Sequence, residues 1–392
     1  MITDLIIFIV VLAVLIIAHE LGHFLAAKKF GIWVEEFGVG FPPRIFSYKK
    51  GETVWSVNAV PLGGFVKIAG EDAGEAHVPH TQQHEEEPVV VVKKVSEAVA
   101  IARGGEYSAR EVIVEKIYAP SGAALPDAVP PHRLFFNKPL WQRAVVLCAG
   151  VVMNFLVGWV ILAGVFLVGS ERMVVVADIA PGSPAQAAGI ASGDIIRGDF
   201  AGTDDFVAFI DAQRGKEVTF EIDHDGQRRS VTVVPRRDPP EGEGALGVAV
   251  VQGGFDRMSL PQALWESLVY SAKLFSFIFV MLFKLIASIF GGENLLAYVS
   301  GPVGIFEATS RASGLGIVFL ANLVAIISLN LAALNIFPFP ALDGGQLVFL
   351  GIEKIKGSPV SAKAQRIVNT VGLALLVVFL VYVTAQDIGK LL

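Results

Sequence analysis

The sequence predicts a polytopic α-helical membrane protein with four transmembrane helices and one inserted α+β domain, a small, partly open β-barrel. Three observations predict it. Hydrophobic residues make up 53% of the 392-residue chain and its mean hydropathy is +0.60, well above a soluble domain with a polar coat. Four apolar runs, residues 5–27, 144–168, 317–337 and 367–385, each come near the ~20 residues a helix needs to cross a bilayer. Between the second and third runs, residues 171–252 alternate short β-branched stretches with Gly-rich turns, the pattern of a small sheet domain.

Composition also excludes. The formal net charge is -6, and the basic residues fall in short groups rather than a continuous stripe, so nucleic acid is not an expected partner. Cys148 is the single cysteine; it forms no intrachain disulfide and reads as a small buried hydrophobe.

The first run is preceded by Asp4 and followed by Lys28 and Lys29. That charge order argues for a retained span running inward, not a cleaved signal. Next comes "PRIFSYKKGETVWSVNAVPLGGFVKIAGED", whose alternation is interrupted by Pro61, Gly63 and Gly64, as in a small sheet or hairpin at the membrane surface. It completes a first unit, residues 1–73. Residues 74–138 form a polar insert, expected on the cytoplasmic side, with one β-rich stretch at Val89 to Val95. Within it "HVPHTQQHEEE" spaces His77, His80 and His84 as a second metal site would, but Pro79 interrupts any helix. A solvated charge run is the simpler reading. The second span occupies 139–170.

In the 171–252 domain, "PGSPAQAAGIASGDII" is followed by a helical "DDFVAFIDAQRG" and by paired strands around "HDGQ". "GGEN" at 291–294 and "GPVG" at 301–304 are turns without phosphate-loop spacing. His132 and His224 fall in polar loops and read as surface residues.

Chemistry concentrates where the first span ends, in "LIIAHELGHFLAAKK". Ionisable groups at membrane depth are costly and mark functional sites. His19 and His23 are four apart, so they share one helical face and reach one metal, with Glu20 as neighbour and general base. A catalytic zinc needs three protein ligands and an open position. The best third ligand is Asp343, in a long apolar run interrupted by Pro338, Pro340, Gly344 and Gly345; such residues break a helix and free its backbone beside a cavity.

"HELGH" in a first span with "NIFPFPALDGG" ending a later one resembles the site-2 protease family of intramembrane zinc metalloproteases, most closely the bacterial regulator-of-sigma-E protease branch. "PLGGFVKIAGE", "AGVVMNFLVG" and "SGPVGI" extend the likeness over most of the chain outside 74–131, and the 171–252 domain resembles a PDZ module. The resemblance implies that His19, His23 and Asp343 bind Zn2+, that Glu20 is the catalytic base and that Asn335 holds substrate. It also implies that the strand around Gly63, Gly64 and Phe65 pairs with extended substrate. The partners implied are single-span membrane proteins such as an anti-sigma factor or remnant signal peptides, the lipid bilayer, and peptide or protein termini at the PDZ module. The implied location is the bacterial inner membrane, with the active site near the cytoplasmic side and the PDZ module outside. One PDZ is recognisable where the best-known enterobacterial members have two.

Parity then bears on residues 253–316. For Asp343 to meet the histidines, the span ending "ALNIFPF" must run inward like the first, so 264–290 is not a crossing but an amphipathic helix expected on the outer interface. Residues 317–392 supply the third and fourth spans, with Lys354, Lys356, Lys363 and Arg366 between them, inside. A catalytically inactive PDZ-bearing scaffold would need neither H-E-x-x-H nor an intramembrane Asp. A metal-ion transporter would line a path with more such groups.

Overall fold

The computed structural model describes residues 2–71, 129–200, 202–224, 227–240, 242–291 and 299–391. The stretch Val89 to Val95 and the histidines His77, His80 and His84 lie outside the described residues.

Helix α1 (Ile2–Lys29) carries Asp4 in its first turn and Lys28 and Lys29 in its last, charges that suit the helix dipole. Strands β1 (Val34–Lys50) and β2 (Thr53–Ile68) pair antiparallel. Proline has no N–H to give a ladder, and the pairing is rearranged around Pro42 and Pro43 in β1 and Pro61 in β2. Val34 to Val39 face Ile68 to Gly64, and Arg44 to Lys50 face Asn58 to Thr53. Glu36 to Val39 also lie beside Val54 to Val57. The 64–68 limb is thus an outer rung, its far side unpaired among the described residues. The stretch read from sequence as a sheet or hairpin begins at Pro43, whereas β1 already starts at Val34.

Two 3-10 turns, Pro131–Arg133 and Phe135–Asn137, lead into α2 (Leu140–Val168). Trp33 N–H donates to the Arg133 carbonyl at 2.9 Å and Phe135 N–H to that of Ala69 at 2.8 Å, tying this connection to the sheet. Beneath it Ala27, Ile32, Val34, Ile68, Phe135, Val146, Leu147 and Leu350 form one buried core.

The inserted domain runs β3 (Met173–Ile179), α3 (Pro184–Ala187), β4 (Ile195–Arg197), α4 (Thr203–Ala212), β5 (Val218–His224), β6 (Gln227–Val233) and β7 (Val248–Gly253). Its strands make one open antiparallel sheet in the order β6-β5-β4-β3-β7. Alternation sends Val218, Phe220 and Ile222 of β5 and Val231 and Val233 of β6 inward against Phe206 and Ile210 of α4. Burying an aromatic such as Phe206 contributes about 2–3 kcal/mol. His132 and His224 are exposed, as expected, and His224 pairs with the buried Asp194.

The chain continues through α5 (Leu260–Gly291), α6 (Pro302–Leu315), α7 (Ile317–Ile336), α8 (Asp343–Lys356) and α9 (Ala362–Leu391). Among the described residues five helices, α1, α2, α5, α7 and α9, are long and apolar enough to cross a membrane, where sequence reading expected four. The addition is α5, which sequence reading takes as an amphipathic helix of the outer interface. Tyr270 meets Phe166 of α2, Phe275 meets Phe155, and Phe279 and Phe283 meet Phe337 beyond α7. An aromatic face of α5 finds the apolar flanks of α2 and α7, which is why it follows them. Hydrogen bonds hold the described chain on either side of α5. Before α5, Met258 N–H donates to the Phe166 carbonyl. After it, Gly301 and Gly304 N–H donate to Asp387 near the end of α9, each at 2.8 Å.

Candidate metal centre

The site begins with two helices in unusually close contact. A Cβ on Gly22 of α1 would lie 2.3 Å from the Ala149 carbonyl of α2, so only glycine allows this approach. Small residues serve membrane helix crossings in this way. On the facing turn of α2, a Cβ on Gly150 would lie 2.3 Å from His23 Nε2 and 2.6 Å from His19 Cε1. The histidine pair therefore occupies the space that Gly150 leaves open.

Asp343 arrives from the other side. Helix α7 ends at Ile336, Pro338 and Pro340 prevent its continuation, and Ala341 turns through a φ of 71°. The chain re-enters helix at Asp343, the first residue of α8. A Cβ on Gly344 would lie 2.1 Å from the Phe337 carbonyl oxygen, so the pair after Asp343 lets α8 start hard against the end of α7. The break expected from the prolines and glycines is there, and it delivers the carboxylate to the histidines.

His19 Nε2 and His23 Nε2 are 3.1 Å apart, and Asp343 Oδ2 lies 3.2 Å from the first and 3.4 Å from the second. Ligands on a tetrahedral zinc at 2.0–2.1 Å stand roughly 3.3 Å from one another, so the triangle has the size of one face of such a site. The donor set, two imidazoles and a carboxylate, also suits zinc. Asp343 Oδ2 is buried and takes part in no hydrogen bond of acceptable geometry, an orphaned acceptor that a cation would satisfy. His23 Nδ1 donates to the Val146 carbonyl at 2.8 Å. That bond leaves the Nε2 lone pair facing Asp343, the outer partner a metal-binding histidine needs.

Glu20 is partly buried beneath β2: a Cβ on Gly64 would sit 3.5 Å from Glu20 Cγ. Asn335, in the last turn of α7, brings its amide nitrogen 3.4 Å from His19 Nε2. Gly64 pairs with Val39 and Phe65 with Gly38, and Gly63 lies against the Phe41 ring. The site residues named from sequence thus gather around one point, with Gly63 and Phe65 a step removed along the outer rung.

Sequence reasoning passed over the contributions of α2. Val146 supplies a backbone carbonyl, to which no side chain could point. Gly150 and Asn154 left a legible signal in "AGVVMNFLVG", a glycine and an amide four apart in an apolar span, hence on one helical face.

Residues 7–379 match the sequence profile of Peptidase family M50. The Zinc metalloprotease RasP of Geobacillus kaustophilus is 33% identical to the chain over 416 residues, covering 98% of this chain and 97% of that protein. The Zinc metalloprotease RasP of Shouchella clausii is 32% identical, with 98% of each chain covered. The Regulator of sigma-W protease RasP of Bacillus subtilis is 30% identical over the same shares.

Proposed function

This chain belongs to peptidase family M50, and from that premise we propose how its own residues carry out the proteolysis. It is a zinc metalloendopeptidase and a multi-pass bacterial membrane protein. In our reading His19, His23 and Asp343 hold the zinc and Glu20 is the catalytic base. The observation that carries this reading is the convergence of three ligand atoms, all within 4.8 Å of one another, with Glu20 one residue from the first. When bound, zinc acidifies water and polarises the scissile carbonyl.

Glu20 takes a proton from the attacking water and returns it to the leaving amine. A helical substrate hides its carbonyls in its own hydrogen bonds and must be unwound first. The side of the 64–68 rung that is unpaired among the described residues, beside Glu20, offers an edge with which the extended segment pairs. Gly63, Gly64 and Phe65 lie along it, and the Asn335 amide takes up a freed backbone group.

Helices α1, α2, α7 and α9 cross the membrane. The α5 region enters and leaves on the side of the inserted domain, so the parity that unites Asp343 with the histidines is kept. Residues 171–252 act as a PDZ-like module on the extracytoplasmic side, and the site faces the cytoplasmic side with the 74–138 insert. A relative named for regulating sigma-W points to single-span substrates of the anti-sigma-factor kind.

The test is cleavage of a tagged single-span reporter by the purified protein, with bound zinc quantified. Glu20→Gln should abolish cutting and keep zinc, whereas Asp343→Ala should lose both. Equal cutting by both variants and wild type would overturn the assignment.

A further inference from the structure

Zinc uses the Nε2 lone pair of His19, so His19 Nδ1 must carry the proton and needs an acceptor. His23 has one in the Val146 carbonyl; for His19 the neighbours are two amides. Asn335 Nδ2 lies 3.5 Å from Nδ1 and 3.4 Å from Nε2. Being almost equidistant from both ring nitrogens, it is in line with neither. Asn154 Nδ2 lies 3.4 Å from Nδ1. Asn154 is fully buried, so no solvent competes, and its Oδ1 has no hydrogen-bond partner. Its backbone is clamped as well, because Ser328 Oγ of α7 donates to the Asn154 carbonyl at 2.7 Å.

In this orientation an N–H donor faces the Nδ1–H donor while the buried carbonyl of the same amide goes unused. A half-turn of the amide, which exchanges two atoms of nearly equal size, turns the unused carbonyl to the His19 Nδ1–H. Two donors facing each other in a buried site repel, and a buried acceptor left unmatched costs about 1–3 kcal/mol, so a protonated His19 Nδ1 draws the carbonyl toward it. We propose that Asn154 is a positioning residue whose side-chain carbonyl accepts the His19 Nδ1–H, fixing the tautomer and ring orientation that present Nε2 to zinc. The proposal rests on the assignment of His19 as a ligand.

The experiment measures zinc affinity of the full-length protein in detergent by chelator competition, with the visible spectrum of the Co2+-loaded protein as a second readout. Asn154→Leu keeps the branched shape, at a larger volume, and removes the acceptor; it should bind zinc about 10–100-fold more weakly and shift the Co2+ bands. Asn154→Asp keeps an acceptor oxygen and should bind at least as tightly as wild type. Undiminished affinity in Asn154→Leu, or a loss in Asn154→Asp as large as in Asn154→Leu, overturns the proposal. Should Asn154→Leu fail to fold, Asn154→Asp decides alone: retained affinity supports it and a loss sinks it. His19→Ala separates the two layers. If it binds zinc like wild type, the ligand assignment fails; if it loses zinc while Asn154→Leu does not, only the role of Asn154 fails.

Discussion

Gly150→Ala adds one carbon where the histidine pair meets α2. That carbon would stand 2.3 Å from His23 Nε2 and 2.8 Å from His19 Nε2. Ordinary contact begins at 3.4 Å, so the His23 nitrogen must retreat by 3.4 - 2.3 = 1.1 Å. A working metal site tolerates about 0.2 Å in its bond lengths. The ring has little freedom to swing, because its Nδ1 is tied to Val146, one turn earlier on the same helix as Gly150. Nor is there room for α1 to shift along α2 where Gly22 already touches Ala149. Alanine is the better helix former by about 1 kcal/mol, which offsets part of the ~1–3 kcal/mol of overpacking, so the fold should survive. Zinc affinity should fall by at least the ~100-fold that loss of an outer-shell partner costs, and cleavage should vanish with it. Chelator competition and reporter cleavage on detergent-purified protein measure both. Wild-type zinc affinity together with wild-type cutting in Gly150→Ala would refute the packing of α2 on the histidines.

Gly344→Ala should also lose zinc, since its Cβ would meet the backbone oxygens of Phe337 and Ile336 at 2.1 and 2.3 Å, atoms that cannot rotate aside. Gly351→Ala, in open space on the same helix, should bind zinc normally; equal behaviour of the two would count against the α7–α8 junction. Asp387→Ala strands the Gly301 and Gly304 amides at about 1–3 kcal/mol each, lowering the melting temperature while zinc affinity holds; an unchanged melt contradicts this. Glu52, at the foot of the sheet, is disfavoured as an anion by burial, yet Arg133 and Lys28 hold its carboxyl below the usual range. Its contribution is therefore present above an unfolded value of about 4.3 and lost as pH falls through the lower folded one. Glu52→Gln should melt earlier than wild type at pH 7, and the gap should close in acid; a gap independent of pH would argue against the cluster.

Local periodicity carried much of this protein into view. A helix repeats every 3.6 residues, so "HELGH" by itself places His19 and His23 on one face with Glu20 beside them. A bilayer demands long apolar runs, which made α1, α2, α7 and α9 legible, and the prolines and glycines of "NIFPFPALDGG" announced the break before Asp343. Tertiary structure alone decided what those local signals do not encode. Val146 acts through a backbone carbonyl that no side-chain pattern encodes, and Gly150, though legible as a small residue in "AGVVMNFLVG", matters through the volume it leaves to histidines on another helix. Asn154 takes its meaning from His19, 135 residues away in the chain. The course of α5 depends on which surface its aromatic face finds, and β1 forms across its glycines and prolines because β2 is there to pair with it. Sequence sets each segment's own period, whereas the partner against which that period is buried exists only once the chain has folded.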